Sequence, residues 1–233
     1  MHPAKKYDQM SKKINHQDPE ESVEIALSKT EQFVQKHKNT AIYTVIAIIG
    51  LSATIFAYQN LYRKPLKEEA VAQTFVAEQY FRADSFDLAL NGDGNALGFL
   101  QIKQKFGSAA PKSIDFYIGV AQLNLENYQE AINSLKRYKT KDPIFQARAI
   151  CNIGDAYVGL NNLKEAVNYY NRAASHADNI FAATYMQKAA LLYEEMGNFD
   201  QALKVYEEIK VKYPQTLEGF EADKYIARIK INQ

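Results

Sequence analysis

The chain has 233 residues, 47% of them apolar and 24% charged, with a formal net charge of +1. This is a globular composition with enough chain for a sizeable core, and it excludes a disordered or collagen-like polymer. Near-neutrality, with 21 basic and 21 acidic residues from Arg63 onward, argues against a nucleic-acid partner and leaves room only for a local basic patch.

Residues 1–18 read as a disordered tail. Asp18-Pro19-Glu20-Glu21 then forms a strong helix start, with Asp at the N-cap, Pro at the first helical position and acids in the first turn. Val23, Ala26, Leu27, Thr30, Phe33 and Val34 recur on one helical face, which predicts an amphipathic helix over 19–38. Such a helix either simply leads into the next element or lies on the inner leaflet or a membrane partner.

No charged residue occurs between Lys38 and Arg63, an interval of 24 residues. A helix of that length reaches roughly 36 Å against a hydrocarbon core of about 30 Å. Tyr43 near one end and Tyr58 and Tyr62 near the other suit the two interfacial belts. The run is too long and too uniformly apolar for a buried core helix. About forty residues precede it and no small-x-small site follows, so it reads as an uncleaved transmembrane helix over 39–63 rather than a signal peptide. Near the span, Lys29, Lys36 and Lys38 balance Arg63, Lys64 and Lys67. The short tail adds Lys5, Lys6, Lys12 and Lys13, and long domains translocate largely regardless of charge. The expected orientation therefore keeps the N-terminus in the cytoplasm. Pro65 is expected to end the anchor.

Residues 66–233 repeat. One copy is Ile118-Gly119 … Tyr128-x-x-Ala131 … Leu135 … Pro143. The next is Ile153-Gly154-x-x-Tyr157 … Leu163-x-x-Ala166 … Tyr170 … Asp178. A third is Ala189-Ala190-x-x-Tyr193 … Phe199-x-x-Ala202 … Tyr206 … Pro214. The alanines at 131, 166 and 202 are 35 and 36 residues apart. Ala77, Tyr80 and Phe86-x-x-Ala89 form a degenerate earlier copy, separated from the next by 42 residues because Asn91-Gly92-Asp93-Gly94-Asn95 interrupts its second helix. Leu217 to Ile231 reads as a capping helix, with Phe220, Tyr225, Ile226 and Ile229 on its apolar side.

This pattern resembles the tetratricopeptide repeat. The resemblance implies an all-α fold: a transmembrane helix followed by an α-solenoid whose helix pairs bury their apolar faces against neighbours. It also implies a binding surface rather than a catalyst, with the first helices lining the groove. Matching positions are Phe116, Val120 and Asn124, then Arg148, Cys151 and Asp155, then Gln187, Leu191 and Glu194. The alternative for Phe116, Val120 and Leu123 is internal packing. The lysine and asparagine set that clamps a C-terminal carboxylate in chaperone-binding relatives is not evident. The mixed face suits an extended or helical polypeptide.

No catalytic, cofactor or metal residues are expected. Asn91-x-Asp93-x-Asn95 invites a calcium-loop reading, but Ala96 and Ile102 stand where such a loop requires Gly and Glu, so a turn held by Asn and Asp is the better account. Gly92-x-Gly94 followed by Gly98 has the wrong spacing for a dinucleotide loop. His2, His16, His37 and His176 are too scattered for a histidine-centred site. Cys151, the single cysteine, excludes an intrachain disulfide or a thiolate zinc cluster. It reads as a small helix residue, with a reactive thiol or intermolecular bridge as the alternative.

Tail, single anchor and repeat domain, in that order, look like the ancillary subunit of the bacterial Sec translocon. The resemblance implies an inner-membrane, single-pass protein with its repeats in the periplasm. Translocon channel subunits, a periplasmic chaperone or an unfolded polypeptide would be its partners. The longer tail and the Gly-Asp-Gly insertion depart from that family. An anchored scaffold for cell-wall, cell-division or outer-membrane assembly has the same architecture, and an enzyme is the alternative of another class.

Overall fold

The computed structural model describes the backbone of residues 19–176 and 178–232 and the side chains of 30–176 and 178–231. The expected tail over 1–18, the Asp18 cap and the side chains of the amphipathic stripe before Thr30 lie outside the described residues.

Helix α1 runs Pro19–Ala57 without a break, so the two elements expected on either side of residue 38 are one helix. All side chains from 39 to 60 are exposed. The few polar ones are satisfied within the helix: the hydroxyls of Thr44, Ser52 and Thr54 donate to the carbonyls of Thr40, Ile48 and Gly50 at 2.7–2.8 Å. That lets them sit in an apolar surrounding without an unmet donor. Among the described residues one helical stretch is long and apolar enough to cross a membrane, and it lies near the N-terminus.

Pro65 does not terminate a helix. Tyr58–Arg63 is a π-helical segment, and α2 (Lys64–Arg82) opens with Pro65 in its first turn. In a regular α-helix the proline ring would collide with the carbonyl four residues back, and its missing N–H would orphan that oxygen. The segment immediately upstream is instead π-helical, so the regular four-residue register is already broken where the proline enters. At the first turn of α2 no N–H is missed.

Residues 61–233 form one compact unit. After α2 come α3 (Phe86–Asn91), α4 (Phe99–Phe106), α5 (Ile114–Asn124), α6 (Tyr128–Arg137), α7 (Pro143–Gly159), α8 (Leu163–His176), α9 (Ile180–Glu195), α10 (Phe199–Lys212) and α11 (Leu217–Asn232); no strand occurs among the described residues. The pairs α5/α6, α7/α8 and α9/α10 are antiparallel hairpins. The copy before them pairs α2 with α3 and α4, the split that the inserted Gly-Asp-Gly loop creates.

The turn inside each pair is one repeated device. Asp84, Glu126, Asn161 and Gly197 all take positive φ, between 54° and 72°. In each case the following N–H closes onto a carbonyl five residues back: Ser85 to Tyr80, Asn127 to Gln122, Asn162 to Tyr157 and Asn198 to Tyr193, at 2.8–2.9 Å. This is a left-handed helix stop that satisfies an orphan carbonyl and reverses the chain. Its presence at Asp84 establishes that the degenerate copy shares the geometry of the others.

Close approach is provided where the pattern placed small residues. Ala77, Ala89, Ala131, Ala166, Ala190 and Ala202 are all fully buried. A Cβ on Gly119 would lie 2.5 Å from Leu135 Cγ, and one on Gly154 would lie 2.6 Å from Tyr170 Cε1. The cap α11 differs from expectation. Its buried stripe is Gly219, Ala222, Ile226 and Ile229, whereas Phe220 is 74% exposed. One residue on a helix is a rotation of about 100°, and the approach of Gly219 to the Tyr213 carbonyl sets the rotation.

Candidate binding surface of the first helices

Helix α5 lies against α7 and α9 against α11, and Asp155 on α7 is bonded to Lys188 on α9, while α6 and α8, or α8 and α10, show no such approach. The first helices are therefore the inner row, and their unpacked stripe is the natural groove.

Of the nine predicted groove residues, Phe116 and Cys151 are buried. Phe116 packs on Tyr138 with the Arg148 guanidinium 6.0 Å above its ring, and so supports the surface from beneath. Cys151 lies at the buried edge of the exposed stripe, about 60° from Arg148 and about 40° from Asp155. On α7 that stripe runs through Arg148, Asn152 and Asp155. Asn124 is exposed but donates to the Val120 carbonyl at 2.8 Å. Gln187 and Val120 are half-buried, and Arg148 and Leu191 are exposed.

Asp155 and Glu194 are engaged in the stacking itself. The Tyr170 hydroxyl and the Lys188 ammonium both donate to Asp155 Oδ1 at 2.6 Å. The Tyr206 hydroxyl donates to Glu194 at 2.7 Å, and Arg228 holds both oxygens of the same carboxylate at 2.7 and 2.8 Å. Each trio joins a second-helix tyrosine, a first-helix acid and a base on the next first helix or cap. Burial and then Asp155 push the Tyr170 phenol up; burial and then the bond to Glu194 do the same for Tyr206. Burial works against the Lys188 charge, but Cys151 and Asp155 outweigh it, so its pKa too lies above the ordinary value. Neither carboxylate is free for a ligand, and the lysine and arginine that complete the trios were not predicted.

Cys151 is 3% exposed, and burial followed by the Asp155 charge pushes its thiol up to about 12. The thiolate is the reactive form. At pH 8, labelling of the native chain by a disulfide reagent is expected to be at least about a hundredfold slower than in denaturant. Prompt stoichiometric labelling without denaturant would show that α7 opens readily.

Two further surface features escaped the sequence reading. Ile144-Phe145 and Ile180-Phe181 occupy equivalent first-turn positions 36 residues apart, and all four side chains are 42–65% exposed. Phe145 lies three residues before Arg148, about one turn ahead of it on the same side of α7, and Phe181 is its equivalent on α9. The recurring Ile-Phe dipeptide was the available signal. The insertion, by contrast, is self-contained. Asp93 Oδ1 accepts from the N–H groups of Asn95 and Ala96 at 2.9 and 2.6 Å, and Oδ2 from the Tyr80 hydroxyl at 2.8 Å. Those hydrogen bonds hold the Asp93 pKa below the usual carboxylate range.

Residues 115–143 and 185–216 match one family model of the tetratricopeptide repeat, and residues 147–176 match a second. The matched segments coincide with the three hairpins α5/α6, α7/α8 and α9/α10. No curated protein matches the chain. The chain thus carries tetratricopeptide repeats, a protein-interaction scaffold, beside a helix long and apolar enough to span a membrane.

Proposed function

We propose that the protein is a single-pass, membrane-anchored repeat scaffold that receives polypeptide partners on its first-helix face, outside the cytoplasm, as an accessory of the Sec translocon. The observation that carries the membrane half is the charge-free stretch of α1, in which every side chain from 39 to 60 is exposed. Leaving that much apolar surface in water would be costly at roughly 25 cal/mol per Å². The exposed pairs Ile144-Phe145 and Ile180-Phe181, together with the exposed Arg148 and Leu191 on the same two helices, offer mixed apolar and polar surface suited to an extended chain. Seven lysines in the N-terminal tail favour its retention in the cytoplasm.

Affinity purification of the full chain from gently solubilised membranes tests the assignment. Recovery of channel subunits or a periplasmic chaperone is the expected result. Recovery of cell-division or outer-membrane assembly components instead overturns the translocon reading. Protease added to spheroplasts should digest the repeats; digestion only in inverted vesicles places them in the cytoplasm and removes both envelope readings.

A further inference from the structure

The outer row of second helices carries two grooves at equivalent places, one repeat apart, and they differ in charge. One lies between α6 and α8 over α7. It has a volume of about 400 Å³ and is lined by Lys136, Lys139, Arg172 and His176 above a floor of Leu135, Ile150 and Ile153. It adjoins a second cavity of about 560 Å³ that shares Lys139 and Thr140 and adds Lys112 and Lys141. No carboxylate lines either cavity.

The equivalent groove, between α8 and α10 over α9, has a volume of about 350 Å³. Spacings of 35 and 36 residues carry Lys136 to Asn171, Lys139 to Ala174, Arg172 to Glu208 and His176 to Lys212. Here carboxylates accompany the cation: Asp178 and Glu208 line the groove with Lys212. Lys212 pairs with Glu208 at 2.5 Å, and the Tyr213 hydroxyl donates to Asp178 at 2.6 Å. In the first groove, none of Lys112, Lys136, Lys139, Lys141, Arg172 and His176 pairs with a carboxylate among the described residues. Two cations are instead held by aromatic faces. Arg172 stands 4.6 Å from the Tyr169 ring centroid, and Lys136 lies 5.9 Å from those of both Tyr157 and Tyr169. The same scaffold thus builds one groove in which carboxylates outnumber the cation and one in which positive charge is collected and left uncompensated. That is unfavourable for the free protein through self-repulsion, and favourable on meeting an acidic partner.

We propose that the groove between α6 and α8 is a second docking surface, which binds an acidic segment of a partner polypeptide. The joined cavities are far larger than one anionic group, and the apolar floor between the cations suits carboxylates interspersed with aliphatic side chains. A lipid headgroup would use the cations and leave that floor unfilled. The site is on the opposite row from the first-helix groove and does not depend on the identity of its ligand.

The test is fluorescence anisotropy with the full chain in uncharged detergent and a short labelled peptide of repeating Glu-Glu-Leu. Binding is expected to weaken with added salt, and a Gln-Gln-Leu peptide should not bind. The triple variant Lys136→Gln, Lys139→Gln, Arg172→Gln removes exposed charges only, with folding checked by circular dichroism. It should lose roughly tenfold or more in affinity. Lys204→Gln, Lys224→Gln, Lys230→Gln removes the same charge elsewhere and should bind as the parent does. No binding of the acidic peptide, or equal losses in both triple variants, would overturn the proposal. So would phosphatidylglycerol vesicles binding through these residues when the peptide does not.

Discussion

Replacing Tyr206 with alanine is expected to destabilise the repeat unit by about 3–5 kcal/mol. The side chain is fully buried, stacks on Tyr225 at 4.9 Å between centroids, and supplies the hydroxyl held by Glu194. Truncation removes the wedge between the last repeat and its cap and leaves Glu194 with one partner fewer. Phenylalanine keeps the wedge and loses only the hydrogen bond, at a cost of about 1–2 kcal/mol. Chemical denaturation of the full chain in detergent, followed by circular dichroism, separates the two. Because stability in stacked repeats is a sum of neighbouring interfaces, trypsin should also cut the alanine variant early at Lys224 and Arg228 on α11. Equal behaviour of the two variants would mean that the ring does not carry the interface.

Gly154→Leu is expected to cost about 3 kcal/mol or more, the upper range for overpacking a close-packed site. The added Cβ alone would stand 2.6 Å from the Tyr170 ring. The ring cannot swing clear, since its hydroxyl is pinned to Asp155 at 2.6 Å. Even alanine should destabilise there, despite its better helix propensity. At the equivalent position one repeat on, Ala190 already carries a Cβ, and Ala190→Gly should cost only about 1 kcal/mol, from backbone entropy. Melting of the two variants beside the parent chain checks this. A neutral Gly154→Leu would show that α7 and α8 can separate without loss.

The groove was less legible than the fold. Choosing every third or fourth residue on a first helix located Arg148 and Leu191, but the same spacing took in Cys151 and Phe116, which point beneath the surface. A helix rotated by one residue moves a side chain from groove to core, and only the packing of α5 and α7 on their neighbours decides that rotation. Asp155 and Glu194 were recognisable as groove positions, but their engagement by Lys188 and Arg228 was not. Those bases lie 33 and 34 residues further along the chain, and repeat stacking alone brings them together.

What the sequence determined by itself is what depends on short-range chemistry. The charge-free stretch from residue 39 follows from composition. Four hairpins follow from the recurrence of small and aromatic residues, and their turns from residues that tolerate a left-handed backbone. What the tertiary structure decided is everything set by the rotation and stacking of one helix on the next. It turned Phe220 outward and Cys151 inward, and let helix resume at Pro65 after a π turn. It also gathered unpaired cations from α6, α8 and their flanking turns into one groove while placing carboxylates in its equivalent. Local pattern specifies which residues can be helical and apolar. Which of their charges face one another is settled only when helices far apart in the chain are packed side by side.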